Sequence, residues 1–196
     1  MNKGIIATIV FIIIFIIDLT SNILHVKSYK KNKINKVLLF FIVLIILLTI
    51  EYIEDYITYN YLDNFLKKDY KKEPQCEINS YWDAIIAGTS EEIISRLIIF
   101  NFVLIKLLKI NVNTSIIISG ILFGLMHITQ YIFFGQNIYN TLAVIIQAIP
   151  SGMLFAYVYA NTNLTTAIIL HFLMDYIDFM LLRCNKPLYK KMLFIQ

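Results

Sequence analysis

Residues Ala84 to Leu108 read AIIAGTSEEIISRLIIFNFVLIKLL, an apolar segment that contains two adjacent carboxylates and an arginine. About 20 apolar residues cross the hydrocarbon core of a bilayer as a helix, so this segment is long enough to span a membrane. A charged side chain at that depth costs about 2.5 to 3.5 kcal/mol by the lower estimates. Glu91, Glu92 and Arg96 are therefore expected either to pair with one another or to carry a function.

The composition of the whole chain indicates an integral membrane protein. Hydrophobic residues make up 59% of the 196 residues, and the apolar runs are too long and too many for a soluble core of this size. The net charge of +4 is spread over several connecting segments, with no basic stripe that would indicate nucleic-acid binding. Cys76 and Cys184 have no metal-ligand spacing and define no disulfide framework. The sequence therefore predicts a multi-pass protein of the cell membrane, in contact with the lipid bilayer.

The apolar segments predict an all-α fold, a polytopic bundle of about six transmembrane helices. The first segment follows Lys3 but has no small-residue cleavage site, so it is interpreted as a retained anchor. The chain shows no internal repeat or second domain, which favours a single integral membrane domain over residues 1–196 with a motif-bearing core at 83–182. The predicted spans are Gly4–Leu24, Val37–Ile57, Asp83–Leu108, Thr114–Phe134, Thr141–Ala160 and Leu164–Leu182.

Two features of the later spans predict how these helices pack. Gly120 and Gly124 form a small-xxx-small pair on the fourth span, a spacing typical of close helix packing. Pro150 interrupts the fifth span and is expected to kink it.

The intramembrane polar residues are predicted to converge at one depth. Because consecutive spans run antiparallel, the start of the third span and the ends of the fourth and sixth lie on the same side of the membrane. Glu91 follows Trp82 by about nine residues, or ~13 Å at the helical rise. His127 lies near the end of the fourth span, His171 near the middle of the sixth, and Asp175 one turn later. These positions fall in one half of the bilayer, which predicts a single site.

Helical spacing gives the two glutamates different neighbours. Glu92 and Arg96 are four residues apart, so they lie on one face of the helix and can pair. Glu91 is rotated from Glu92 by about 100°. The Glu92–Arg96 pair is therefore expected to support helix packing, and Glu91 to be the free working carboxylate.

A carboxylate and two histidines at one depth support two related mechanisms of peptide hydrolysis. In the first, Glu91 and His127 hold and deprotonate a water molecule, while His171 and its neighbour donate hydrogen bonds to the oxyanion. In the second, His127, His171 and Glu91 bind a divalent metal such as Zn²⁺, which activates the water. The chain contains neither HExxH nor GxGD, and Ser119 and Ser151 lack the context of an intramembrane serine nucleophile.

Three motifs follow one another on three of the predicted spans: EExxxR at 91–96, FxxxH at 123–127 and HxxxD at 171–175. In this order they resemble the CPBP family of CAAX proteases and bacteriocin-processing or immunity (Abi) proteins, to which the type II CAAX prenyl endopeptidase belongs. The resemblance implies an intramembrane peptidase with a catalytic cavity between its helices. It implies Glu91 as the base on water, His127 as its partner, and His171 with residue 175 as the oxyanion-stabilising pair. The implied catalytic set is Glu91, Glu92, Arg96, His127, His171 and Asp175.

Asp175 departs from the family pattern, because the prenyl endopeptidases carry asparagine at this position. An ionised aspartate accepts hydrogen bonds and cannot donate one to an oxyanion. Asp175 therefore stays protonated, orients His171 or helps to hold a metal. The resemblance consequently does not imply a prenylated substrate for this chain.

Functions of different classes remain open. The first is an intramembrane endopeptidase that acts on a membrane-associated peptide or protein. The alternative is a non-proteolytic bacteriocin immunity or membrane scaffold protein of the same fold. A proton-coupled carrier would also use a buried carboxylate, but the chain lacks the repeated halves of such carriers.

Overall fold

The computed structural model describes residues 35–57 and 80–178, together with four helical isoleucines at positions 9, 12, 13 and 16. No β-strand occurs in this part of the chain, and the all-α prediction is confirmed. Asp18, Cys76, Cys184 and most of the first predicted span lie outside the described residues. The helices are α1 (Lys36–Ile57), α2 (Ser80–Glu92), π1 (Ile93–Leu107), α3 (Val112–Met126), α4 (Ile128–Phe134), α5 (Ile138–Asn161) and α6 (Leu164–Tyr176).

The described helices are those of a membrane bundle. Three helical segments are long and apolar enough to cross a membrane, and one of them joins α3 to α4. A further helix, α6, is apolar but shorter. They coincide with the second, fourth and fifth predicted spans and with the start of the sixth. The third predicted span is helical too, but it is divided between α2 and π1. The three long segments are Lys36–Glu54, Val112–Phe133 and Ile138–Asn161.

The change from α2 to π1 comes directly after Glu92, where the hydrogen bonds shift to a carbonyl five residues back. At the end of π1 the Leu108 nitrogen donates to the Val103 carbonyl oxygen at 2.9 Å. Such wide turns are rare and frequently lie at functional sites. The buried positions of π1 recur every four to five residues, so one side of the helix faces the bundle throughout: Ser95, Arg96, Phe100, Asn101 and Leu104.

The short connections after π1 are fixed by asparagine N-caps. The Asn111 side chain accepts a hydrogen bond from the Thr114 nitrogen at the start of α3. Asn137 caps α5 and Asn163 caps α6 in the same way. An asparagine at this position satisfies backbone donors that a helix start otherwise leaves unpaired. The caps therefore set where each helix of the later bundle begins.

Helices α3 and α5 approach closely at the two glycines of α3, and the predicted small-residue packing is confirmed. A Cβ atom added at Gly120 would lie 2.9 Å from the Ile149 carbonyl oxygen, and one at Gly124 would lie 2.7 Å from the Ile145 carbonyl oxygen. Both distances are too short for a side chain. Pro150 lies inside α5, which continues through it.

The close approach gives a stability prediction. We expect Gly124→Ala to destabilise the protein by about 1–3 kcal/mol, because the added methyl group forces apart two backbones that cannot yield. The loss would occur although alanine favours a helix over glycine by about 1 kcal/mol. Thermal unfolding in detergent measures it, with Leu125→Ala as the control because Leu125 is 48% exposed on the same helix. Equal losses in both variants would contradict the packing argument.

Candidate active site

The site contains a buried ion pair between Glu92, the last residue of α2, and Arg96 in the first turn of π1. The Arg96 Nε donates to the Glu92 Oε2 at 2.9 Å, and neither side chain has exposed surface. The pairing predicted from the four-residue spacing is therefore present. Because two buried charges lose their hydration, such a pair is favourable only where further hydrogen bonds satisfy both ions.

Arg96 obtains those further contacts from α3. Its Nη1 donates to the Ser119 hydroxyl oxygen at 2.7 Å, and that hydroxyl donates to the Ser95 carbonyl oxygen at 3.4 Å. The guanidinium carbon also lies 5.1 Å from the centre of the Phe123 ring, within cation–π range. The sequence suggested no such role for Ser119, because a hydroxyl is one of several polar groups in its span.

Glu92 obtains its further contact from α6. The His171 Nδ1 lies 3.1 Å from the Glu92 Oε1, and His171 is 4% exposed. A carboxylate that is ionised by its arginine partner only accepts hydrogen bonds, so the Nδ1 carries the proton. Glu92 therefore links Arg96 to His171, and its contact with His171 joins residues 79 positions apart.

The other nitrogen of His171 faces two more carboxylates. Its Nε2 lies 3.9 Å from the Glu91 Oε2 and 3.7 Å from the Asp175 Oδ2. Both separations exceed a direct hydrogen bond. The Glu91 side chain is 32% exposed and that of Asp175 14% exposed. Glu91 is thus the more exposed of the two carboxylates near this nitrogen.

Two buried phenylalanines fix the plane of the His171 ring. Phe155 stacks on it with ring centres 4.5 Å apart and an angle of 16° between the planes. Phe123 lies edge-on to it at 5.9 Å, an arrangement that aromatic pairs favour. Phe123 belongs to the FxxxH motif, whereas nothing in the sequence distinguishes Phe155 from other apolar residues of its span.

His127 ends α3 and reaches the cluster through Phe123. Its ring lies edge-on to that of Phe123 at 5.3 Å, and its Nδ1 is 3.1 Å from the Phe123 carbonyl oxygen. Because a carbonyl oxygen only accepts, the Nδ1 carries the proton and the Nε2 is left as an acceptor. Within the part of the chain that the structure describes, no contact joins His127 to a carboxylate. Three of the predicted site residues thus lie around His171, namely Glu91, Glu92 and Asp175. Arg96 joins them through Glu92, and His127 lies at a neighbouring ring.

His127, His171 and Glu91 are the residues that the sequence offers as zinc ligands. Across residues 35–57 and 80–178, no three His, Cys, Asp or Glu side chains are arranged to hold a metal ion. His127, His171 and Glu91 are all described, so this holds for them.

Comparison with known proteins identifies a family for this part of the chain. A family model described as type II CAAX prenyl endopeptidase Rce1-like matches residues 78–177, just over half of the chain. The matched segment contains all six predicted site residues. No curated protein and no solved structure matches the chain.

Proposed function

Because the chain belongs to the type II CAAX prenyl endopeptidase Rce1-like family, we propose that it is an intramembrane endopeptidase. Its membership agrees with the resemblance to the CPBP family that the three motifs gave. The proposed reaction is hydrolysis of a peptide bond in a membrane-associated protein or peptide. The observation that carries the proposal is the placement of His171, with Glu92 on one ring nitrogen and both Glu91 and Asp175 near the other.

The first step is activation of a water molecule by Glu91. Glu91 is the most exposed of the three carboxylates around His171, so water and a substrate carbonyl reach it. As the family resemblance implies, we propose that the Nε2 of a neutral His127, an acceptor when the Nδ1 carries the proton, orients the same water. Glu91 takes a proton as the water oxygen bonds to the carbonyl carbon, a contribution of about 10²–10⁴-fold for a positioned base.

The second step is stabilisation of the oxyanion by His171. When both ring nitrogens carry a proton, the Nδ1 donates to Glu92 and the Nε2 donates to the developing oxyanion. The positive charge on the ring is offset by the carboxylates on either side of it. The intermediate then collapses as the carbon–nitrogen bond breaks, and Glu91 returns its proton to the leaving amine.

Asp175 orients His171 in this scheme. Its Oδ2 lies 3.7 Å from the Nε2, so an ionised Asp175 attracts the Nε2 proton and holds the ring in the state that donates. Of the three roles open to an aspartate in place of asparagine, we propose this one, because 3.7 Å allows electrostatic attraction although it is too long for a direct hydrogen bond. It requires no hydrogen bond from Asp175 itself to the oxyanion.

Cleavage of peptides by the purified protein in detergent tests the proposal. Candidate substrates are a prenylated CAAX peptide, its unprenylated counterpart and an unrelated membrane-associated peptide. An endopeptidase produces defined fragments, and Glu91→Gln removes them. A non-proteolytic immunity or scaffold protein would bind a peptide, leave it intact and be indifferent to Glu91→Gln.

Chelation separates the metal-free mechanism from the zinc mechanism. We expect full cleavage activity after exhaustive chelation, because the described side chains offer no three-ligand group. A zinc enzyme would contain near-stoichiometric metal and lose its activity with it. In that case His127→Ala and His171→Ala would each release most of the metal. Elemental analysis and cleavage assays before and after chelation decide between the two.

A further inference from the structure

Helices α2 and α6 approach each other backbone to backbone at Gly88, one turn before Glu92. A Cβ atom added at Gly88 would lie 3.0 Å from the Phe172 nitrogen, 3.3 Å from the Phe172 Cα and 3.4 Å from the Ile168 carbonyl oxygen. All three atoms belong to the backbone of α6, so none can turn aside as a flexible side chain would. A Cβ atom at position 88 would therefore require the backbone of α6 to give way by a few tenths of an ångström.

Backbone conformation does not explain a glycine at this position. Among the described glycines, Gly135 has a positive φ and Gly88 does not. Glycine also weakens the interior of a helix relative to alanine. The close contact with α6 is thus the feature that a glycine at position 88 provides.

The interface between α2 and α6 also contains the contacts of the two glutamates with His171. Gly88 and Glu92 are four residues apart and share a face of α2, while Phe172 directly follows His171. The Glu92 Oε1 reaches the His171 Nδ1 at 3.1 Å, near the long end of the range for such hydrogen bonds. The Glu91 Oε2 is already 3.9 Å from the Nε2. A few tenths of an ångström between the helices would therefore weaken both contacts.

We propose that Gly88 is a positioning residue, which sets the separation of α2 and α6 and thereby the reach of Glu91 and Glu92 to His171. The effect of Gly88 on catalysis rests on the proposed function. Its effect on the separation of α2 and α6 does not. Gly88 touches neither the substrate nor the reacting water. It acts through the helix interface.

Gly88→Ala and Gly88→Ser in the full chain test this inference, with Ser90→Ala as the matched control. Ser90 is exposed on the same helix, and its hydroxyl donates within its own turn to the Ile86 carbonyl oxygen at 2.7 Å. The first measurement is the imidazole proton resonance of His171 in protein labelled with ¹⁵N-histidine, assigned by its loss in His171→Asn. We expect the Nδ1 proton to move upfield or exchange faster in Gly88→Ala, to change further in Gly88→Ser, and to stay in place in Ser90→Ala.

The second measurement is the kinetics of peptide cleavage. A positioning role predicts that kcat falls by about tenfold or more in Gly88→Ala with KM nearly unchanged, because small misplacements of catalytic groups act on the reaction rather than on binding. A packing role alone would lower the melting temperature and leave both the resonance and the kcat of the folded protein unchanged.

Two results would overturn the inference. One is a folded Gly88→Ala protein with the wild-type His171 resonance. The other is failure of both variants to fold, since Gly88 would then serve folding rather than the site. If the wild-type protein cleaves no peptide, the proposed function fails, and the resonance measurement alone still decides whether Gly88 sets the contact between the helices.

Discussion

Glu91→Gln should reduce peptide cleavage by about 10²–10⁴-fold, the contribution of a positioned general base, and leave the melting temperature in detergent nearly unchanged. Glutamine has almost the same shape as glutamate but cannot take a proton from water. The side chain is 32% exposed and lies 3.9 Å from the nearest ring nitrogen of His171. Glu91 therefore makes no direct hydrogen bond to His171 that the folded state would lose.

Glu92→Gln is the matched control, because it makes the same chemical change at the next residue. Glu92 is fully buried and bonds both Arg96 and His171. Its neutralisation should leave a buried guanidinium without a counter-charge and lower the melting temperature strongly. Cleavage and thermal unfolding are measured on both variants. If Glu91→Gln unfolds as readily as Glu92→Gln, the division between a working and a structural carboxylate is wrong.

The parts of the site that the sequence predicted are those set by spacing along one helix. The pair of Glu92 and Arg96 follows from a separation of four residues, and the close packing at Gly120 and Gly124 follows from the same spacing of small residues. Both depend on helix geometry and need no knowledge of which helices are neighbours. The apolar lengths similarly predicted α1, α3 and α5 as long apolar helices.

For residues on different helices, the sequence predicted only that they lie at a similar depth in the membrane. The sequence placed His171 near Glu91 but gave no reason to pair it with Glu92, because that contact depends on how α2 and α6 are rotated about their axes. Helical rotation suggested that the two glutamates face different neighbours. In the structure both approach His171, from its two ring nitrogens.

Two other features left no readable signal. The shift to wider turns in π1 changes hydrogen-bond partners without changing the apolar composition of the span. Ser119 was considered only as a nucleophile, whereas it accepts a hydrogen bond from the buried Arg96. Its role follows from the position of α3 against π1, which the sequence does not specify.

Arg96→Ala should cause the largest loss of stability among these variants, about 3–5 kcal/mol, the typical effect of removing one partner from a buried ion pair. The substitution leaves Glu92 without its arginine at a position with no exposed surface. It also removes the hydrogen bond to Ser119 and leaves a cavity beside Phe123. The melting temperature and the yield of folded protein in detergent measure the effect.

Two further variants distinguish the effect of leaving Glu92 unpaired from the effect of removing the volume of the Arg96 side chain. Arg96→Lys keeps the positive charge, but an ammonium group lacks the planar fork that bonds Glu92 and Ser119 together, so its melting temperature should fall between those of Arg96→Ala and the wild type. The double variant Glu92→Leu with Arg96→Leu removes both charges and should be more stable than Arg96→Ala alone, since no buried carboxylate is left unpaired. It should nevertheless be inactive, because His171 loses the carboxylate that holds its Nδ1 proton. If Arg96→Ala melted at the wild-type temperature, the pair would contribute nothing to folding, and Glu92 would have to be held by His171 alone.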